Sequence, residues 1–236
     1  MSKEFSDFLT SRELDHLMML REDIPALDAE DHQVVAQLIG EGKSYQAIAN
    51  LIMYPELIPE QERVQALLNG LRETENTYLV LAAIVGLGRI PEEALPEPLR
   101  DTVVQEVLRS LHQYGGVIAE RASVVLADKT WWLLSTPASE LVGLLGHPSG
   151  AVRHNVLVAL IPLVGLVHLR GVIGEAVEEG RLSLEAARET EEKLMAIEGF
   201  GKDDTVDEET FDLGMLTVPL LAYIPNFEDW RVDTAP

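Results

Sequence analysis

Apolar residues recur along this chain at spacings of three and four rather than two, and each set predicts one buried face of a helix. Ser11 precedes Leu14, Leu17 and Met18, with Glu13 and Asp15 well placed for a first helical turn. Asp28 is a capping residue ahead of Val34, Val35, Leu38 and Ile39, and Gly40 or Gly42 ends that helix. Ser44 opens a third helix with Ile48, Leu51 and Ile52, stopped by Pro55. Pro59 starts a fourth, which carries Val64, Leu67, Leu68 and Leu71. Residues 77–88, TYLVLAAIVGLG, are apolar nearly all round and so predict a helix buried between neighbours. A Pro-rich link from Pro91 to Pro98 leads into an amphipathic helix ending near Gly115. Further buried helices are predicted over 120–129 and 151–165. Between them, TWWLLSTP breaks at Pro137 and a short helix follows with Ser139 as its cap. Strand-like alternation is scarce, so the fold class is all-α.

The apolar run Val156–Leu169 approaches the length of a membrane span, but Pro162 and His168 interrupt it and Arg170 ends it. It reads as a buried helix followed by a turn. A helix over 182–201 has Leu182, Ala186, Leu194 and Ile197 on one face and many charges opposite. The acid-rich stretch after Gly201 reads as a solvated loop. The last apolar stretch is broken by Pro219 and Pro225 and reads as an extended cap over the helices. These divisions give an N-terminal helical cap over 1–60, helical repeats over 61–200, and an acidic loop with a capping segment over 201–236.

Tyr78, Arg121 and Arg153 can be aligned, each followed by small and branched apolar residues, at offsets of 43 and 32. Those offsets bracket the roughly 40-residue period of helix-pair repeats, in which stacking covers the apolar face that one pair leaves open. The clearest unit is LVGLLGHPSGAVRHNVLVALIPL (141–163). Its Leu141, Leu144, Leu145, Pro148, Val152, Arg153, Leu157, Ala159 and Leu160 resemble a HEAT repeat, a helix pair whose link carries Pro and whose second helix begins Val-Arg. Ser149 and Gly150 stand where that family usually has an acidic residue, and this unit is about a tenth of the chain. The resemblance implies a right-handed α-solenoid of stacked antiparallel helix pairs, a scaffold on which the family binds other proteins.

Charge narrows the choice of partner. The 40 acidic and 18 basic residues give a net charge of −22, which repels phosphate backbones and anionic lipid surfaces and attracts a basic protein. Nucleic acid and membrane are therefore not expected partners. Acidity that serves solubility alone is the plainer reading. No cysteine is present, which excludes disulfides, thiolate metal sites and a cysteine nucleophile. The start MSKEFSDFLTSRELDHL has acids where a leader needs an apolar run, and so points to cytoplasmic residence.

Candidate chemistry is sparse. Glu13 and His16 have the Glu-x-x-His spacing of di-metal bundles, but the pattern occurs once and those sites need two. His147 and His154 flank the link of the best repeat and read as ordinary loop and helix-surface histidines. Ser149 in GHPSG lacks the preceding glycine of a nucleophile elbow. No catalytic, metal or cofactor site is expected. Trp131 and Trp132 are the only adjacent large aromatics. Burial of both is the default, and the alternative leaves one exposed as a contact anchor. With Arg153, His154 and Trp230 they form the candidate partner-binding set. The sequence thus leads to an interaction module with an acidic helical surface for a basic protein. The alternatives are an enzyme or chaperone-like lyase on the same scaffold, and an inhibitor or immunity protein that neutralises a basic partner.

Overall fold

The computed structural model describes residues 1–10, 25–42 and 44–200. The helix expected after Ser11, the Glu13–His16 pair, and the acidic loop and capping segment with Trp230 lie outside the described residues. Among those described, the chain is all-helical, with eleven α-helices and no strand. Two units divide it, Met1–Ala187 and Arg188–Pro236. Within the first lie α1 (Lys3–Thr10), α2 (Ala29–Glu41), α3 (Tyr45–Met53), α4 (Glu60–Leu71), α5 (Thr77–Arg89), α6 (Glu97–Gln113), α7 (Gly116–Asp128), α8 (Ala138–Val142), α9 (Gly150–Val164) and α10 (Leu166–Glu178). The boundary falls inside α11 (Leu184–Phe200).

Local chemistry sets where these helices start and stop. The Asp28 carboxylate accepts from the Asp31 amide at 2.8 Å, and the Asp31 carboxylate accepts from the Asp28 amide at 3.3 Å, a reciprocal cap. Asp31 also accepts from the Ser2 amide at 2.8 Å, which ties the start of α1 to α2. Gly42, at φ 67°, turns the chain out of α2 in a conformation that costs other residues strain. The Asn76 side chain caps α5 through the Tyr78 amide at 3.1 Å. Prolines 59, 96 and 137 each stand immediately before a helix, at φ between −51° and −60°, and open α4, α6 and α8. The sequence expectation of a Ser139 cap for α8 is therefore corrected to Pro137.

Helices α3, α5, α7 and α9 pack against one another in succession, while α4 lies on α5 and α6, and α6 on α7. Side-chain pairings give the directions. Ile52, near the end of α3, lies against Gly86, near the end of α5. Gly88 lies against Val125, near the end of α7, and Asn155 of α9 donates to the Ser123 hydroxyl of α7 at 3.0 Å. These four helices therefore run the same way in one layer. Between α4 and α5 the pairings cross, Gly70 with Leu79 and Ala83, and Gly86 with Leu67, so these two are antiparallel. α4 and α6 are parallel in a second layer: Arg109, late in α6, donates to the Leu71 carbonyl, and the Tyr114 hydroxyl donates to the Glu73 carbonyl at 3.3 Å.

The Ser123–Asn155 bond has the expected offset of 32 residues. The contact of Gly88 with Val125 has an offset of 37, so Tyr78 and Arg121, 43 apart, are not level. Composition could not distinguish these registers, because α5 is apolar on every side and its pattern marks no single buried face.

Layer spacing is set where α3, α4 and α5 meet. A Cβ on Gly86 would stand 2.0 Å from the Ile52 carbonyl oxygen and 2.7 Å from a Leu67 methyl. A Cβ on Gly70 would stand 2.8 Å from the Ile52 Cδ1 and 2.9 Å from the Ala83 Cβ. The backbones touch because both glycines lack side chains, and Ile52, Leu67, Leu71, Ala83 and Leu87 close around the contact at 0% exposure.

The turn expected after the Val156 run falls at Gly165, φ 79°. The chain does not remain irregular beyond it; α10 follows, bent by 118° from α9. Among the described residues no single helix is long and apolar enough to cross a membrane.

Substituting Gly86→Ala should lower stability by about 3 kcal/mol, because a backbone carbonyl cannot rotate away as a side chain can. Gly40→Ala in α2, whose added methyl meets nothing within 4 Å, should be neutral or stabilising by up to about 1 kcal/mol. Urea unfolding of both variants checks the contrast; equal effects would contradict the close helix approach.

Candidate functional site

Arginine placement decides which charges face outward. Three helices share one device, an arginine at the fourth helical residue that donates to the carbonyl five positions earlier, in the link. Arg63 reaches the Ile58 carbonyl at 3.1 Å, Arg100 the Leu95 carbonyl at 3.4 Å, and Arg153 the Pro148 carbonyl at 3.0 Å. Arg153 also donates to the His147 carbonyl at 2.8 Å. In α4 and α6 the sequence signal is Ile58-Pro59-Glu60 with Arg63 and Leu95-Pro96-Glu97 with Arg100, the same pattern 37 residues apart. Apolar periodicity passes over this signal because the arginine is polar and its partner is backbone.

Other cations are also tied internally. Arg72 and Arg109 both reach Glu106, at 2.6 and 2.7 Å. Burial pushes the Glu106 carboxyl up, but its hydrogen bonds from Arg72 and Arg109 outweigh that and hold it below its ordinary range. Arg181 bonds the Ser139 carbonyl at 3.0 Å and Glu179 at 2.6 Å. The Arg89 guanidinium lies 4.0 Å above the Tyr54 ring, where the negative face of the π system attracts it.

The exposed acids are arranged differently. Glu60 and Glu62 stand in the first turn of α4, Glu97 and Asp101 in the opening turns of α6, and Glu140 in the first turn of α8. Since α4 and α6 are parallel, their acidic starts share one edge. Glu140 stands instead beside the middle of α6, where Gln105 donates to its carboxylate at 3.1 Å. Acids at helix starts are favoured by the helix dipole, so the charge of this edge and the helix polarity reinforce each other.

A second polar group gathers at the link before α9. Ser149 is the N-cap of α9, yet its hydroxyl does not cap the helix; it donates to the Glu120 carboxylate of α7 at 2.8 Å. Its amide donates to His147 Nδ1 at 3.1 Å. Burial lowers the His147 pKa, and the neighbouring His112 and Arg153 add to that while Glu120 opposes it; the Ser149 amide, as a donor to Nδ1, favours the neutral ring. The imidazole is thus engaged by the serine amide, not by the serine hydroxyl, and is not placed as the base for a serine nucleophile. This arrangement joins α7, the link and α9.

The two tryptophans part company, so the default of burial for both is corrected. Trp132 is 2% exposed and packs in the interior, whereas Trp131 is 67% exposed. Both sit in a 3-10 turn, Thr130–Leu133, whose three-residue period puts Leu134, 71% exposed, on the same side as Trp131. Trp131 with Leu134 is therefore an apolar outcrop, and Leu134 is the member that sequence reasoning missed. Arg153 and His154 are half-buried at the start of α9, with the Arg153 guanidinium turned back to the link. Among the described residues no group of three or more His, Asp or Glu side chains could hold a metal ion.

A double-mutant cycle of Ser149→Ala and Glu120→Gln should give a coupling of about 1 kcal/mol, the value of a partly exposed hydrogen bond to a charged group. Additive losses in denaturant unfolding would show that the α7–α9 joint does not depend on this pair.

Compared with protein-family models, curated proteins and solved structures, the chain finds no match.

Proposed function

We propose that this protein is an interaction module built as a HEAT-like α-solenoid, and that its acidic edge receives a basic protein partner. Alternation of the two layers, the matching proline starts of α4, α6 and α8, and the arginine ties of α4, α6 and α9 support the solenoid reading. A helix pair that repeats its own link chemistry can stack without limit other than its caps, and such stacks present extended surfaces.

One observation carries the functional reading. The arginines at the starts of α4, α6 and α9 are turned back to link carbonyls, while the acids at the starts of α4 and α6 are left exposed. Glu60, Glu62, Glu97 and Asp101 are thereby left exposed at helix starts whose own arginine is tied to the link. Trp131 and Leu134 supply an exposed apolar anchor of the kind that gives charged interfaces their affinity.

The test uses the full chain as bait in host lysate, followed by titration of the purified partner against the wild type and a Glu60→Gln/Glu62→Gln/Glu97→Gln/Asp101→Asn variant. Affinity should fall by about tenfold or more as salt rises from about 50 to about 300 mM, and the variant should lose a similar factor at low salt. Affinity that is flat across salt and indifferent to the four substitutions would overturn the proposal.

A further inference from the structure

We propose that His147 is an acid-operated latch on the joint between α7 and α9. As a neutral imidazole it accepts the Ser149 amide and keeps the link closed; once protonated it releases the link. Nδ1 is the acceptor for the Ser149 amide at 3.1 Å, so the neutral ring carries its proton on Nε2. Protonation turns both ring nitrogens into donors, and the amide then faces a donor across a hydrogen-bond distance.

The charged groups that face His147 come from each neighbouring element: His112 in the last turn of α6, Glu120 of α7 and Arg153 of α9. Arg153 is cationic, and His112 acts on the ring in the same direction. Arg153 cannot withdraw, because its guanidinium bonds the His147 carbonyl at 2.8 Å and stays charged at any relevant pH. Glu120 offers attraction, but its carboxylate already takes the Ser149 hydroxyl at 2.8 Å. The half-buried ring adds a desolvation cost for its charged form.

The sign follows from the folded His147 titrating below its ordinary value of 6.5. The unfolded chain binds the proton first, so the stabilisation is full above 6.5 and is lost as pH falls towards the folded pKa. Release of the Ser149 amide frees the segment that places the Ser149 hydroxyl on Glu120. The opening is therefore local to the link and the first turn of α9.

Amide NMR of the full chain between about pH 7.5 and about pH 5 tests the latch. Protection of the Ser149 amide, and of the Arg153 amide that bonds the Ser149 carbonyl, should fall by about tenfold, with one midpoint shared with the His147 ring and below 6.5. In His147→Asn the side-chain oxygen can accept from the amide two residues on and does not titrate, so protection should stay level. A ring that titrates without any change at Ser149, or the same loss in His147→Asn, would overturn the proposal. Should His147→Asn fail to fold, His112→Gln in the otherwise unaltered chain serves instead. Removing His112 should raise the His147 midpoint and the Ser149 midpoint together, and midpoints that stay put or move apart would refute the latch.

Discussion

At residue 86 α5 has no side chain, and the carbonyl of Ile52 occupies the space a methyl would need. This backbone contact fixes how near α3 comes to α5 and, through Gly70, how near α4 comes to both. Dispersion attraction and burial are strongest when helices approach this closely, and they allow few rotations. Helices locked in rotation place their ends predictably. Links therefore gather at the layer edges, where their carbonyls need donors that water cannot fully supply. The arginine ties answer that need.

Those ties connect fold to surface. A guanidinium spent on a link carbonyl is turned away from solvent, so every tie leaves the acids of the same helix start less neutralised. Glu60 and Glu62 stand beside Arg63, and Glu97 and Asp101 beside Arg100; in each case the cation is held from below and the carboxylates face outward. An acidic edge follows from the way the links are closed, without any residue placed for charge alone. At the link before α9, which carries Ser-Gly and not Pro-Glu, an acid is used internally, in the Ser149–Glu120 bond.

Much of the helical content was legible in the sequence. Asp28, Pro55 and Pro59 are strong local signals, and they mark starts and stops because capping acts through nearest neighbours. Less was legible where the decision is tertiary. α5 is apolar all round, so its register against α7 could not be read from pattern, and α10 follows a left-handed glycine where a turn alone was expected. Adjacent tryptophans have equal hydrophobicity; only the 3-10 turn decides that Trp132 points inward and Trp131 outward. The acidic edge was visible only as a net charge. Its alignment required the parallel course of α4 and α6, which depends on contacts between residues as far apart as Leu71 and Arg109.

That parallel course is the central claim, since the shared edge exists only if it holds. The chain has no cysteine, so pairs of spin labels can be introduced cleanly at the exposed positions 60, 97 and 113. α6 spans about 25 Å from end to end at 1.5 Å per residue, while packed helices lie only about 10 Å apart. Electron–electron dipolar spectroscopy should give a clearly shorter distance for the Glu60–Glu97 pair than for the Glu60–Gln113 pair. The reverse order would place the acidic starts at opposite ends and contradict the account.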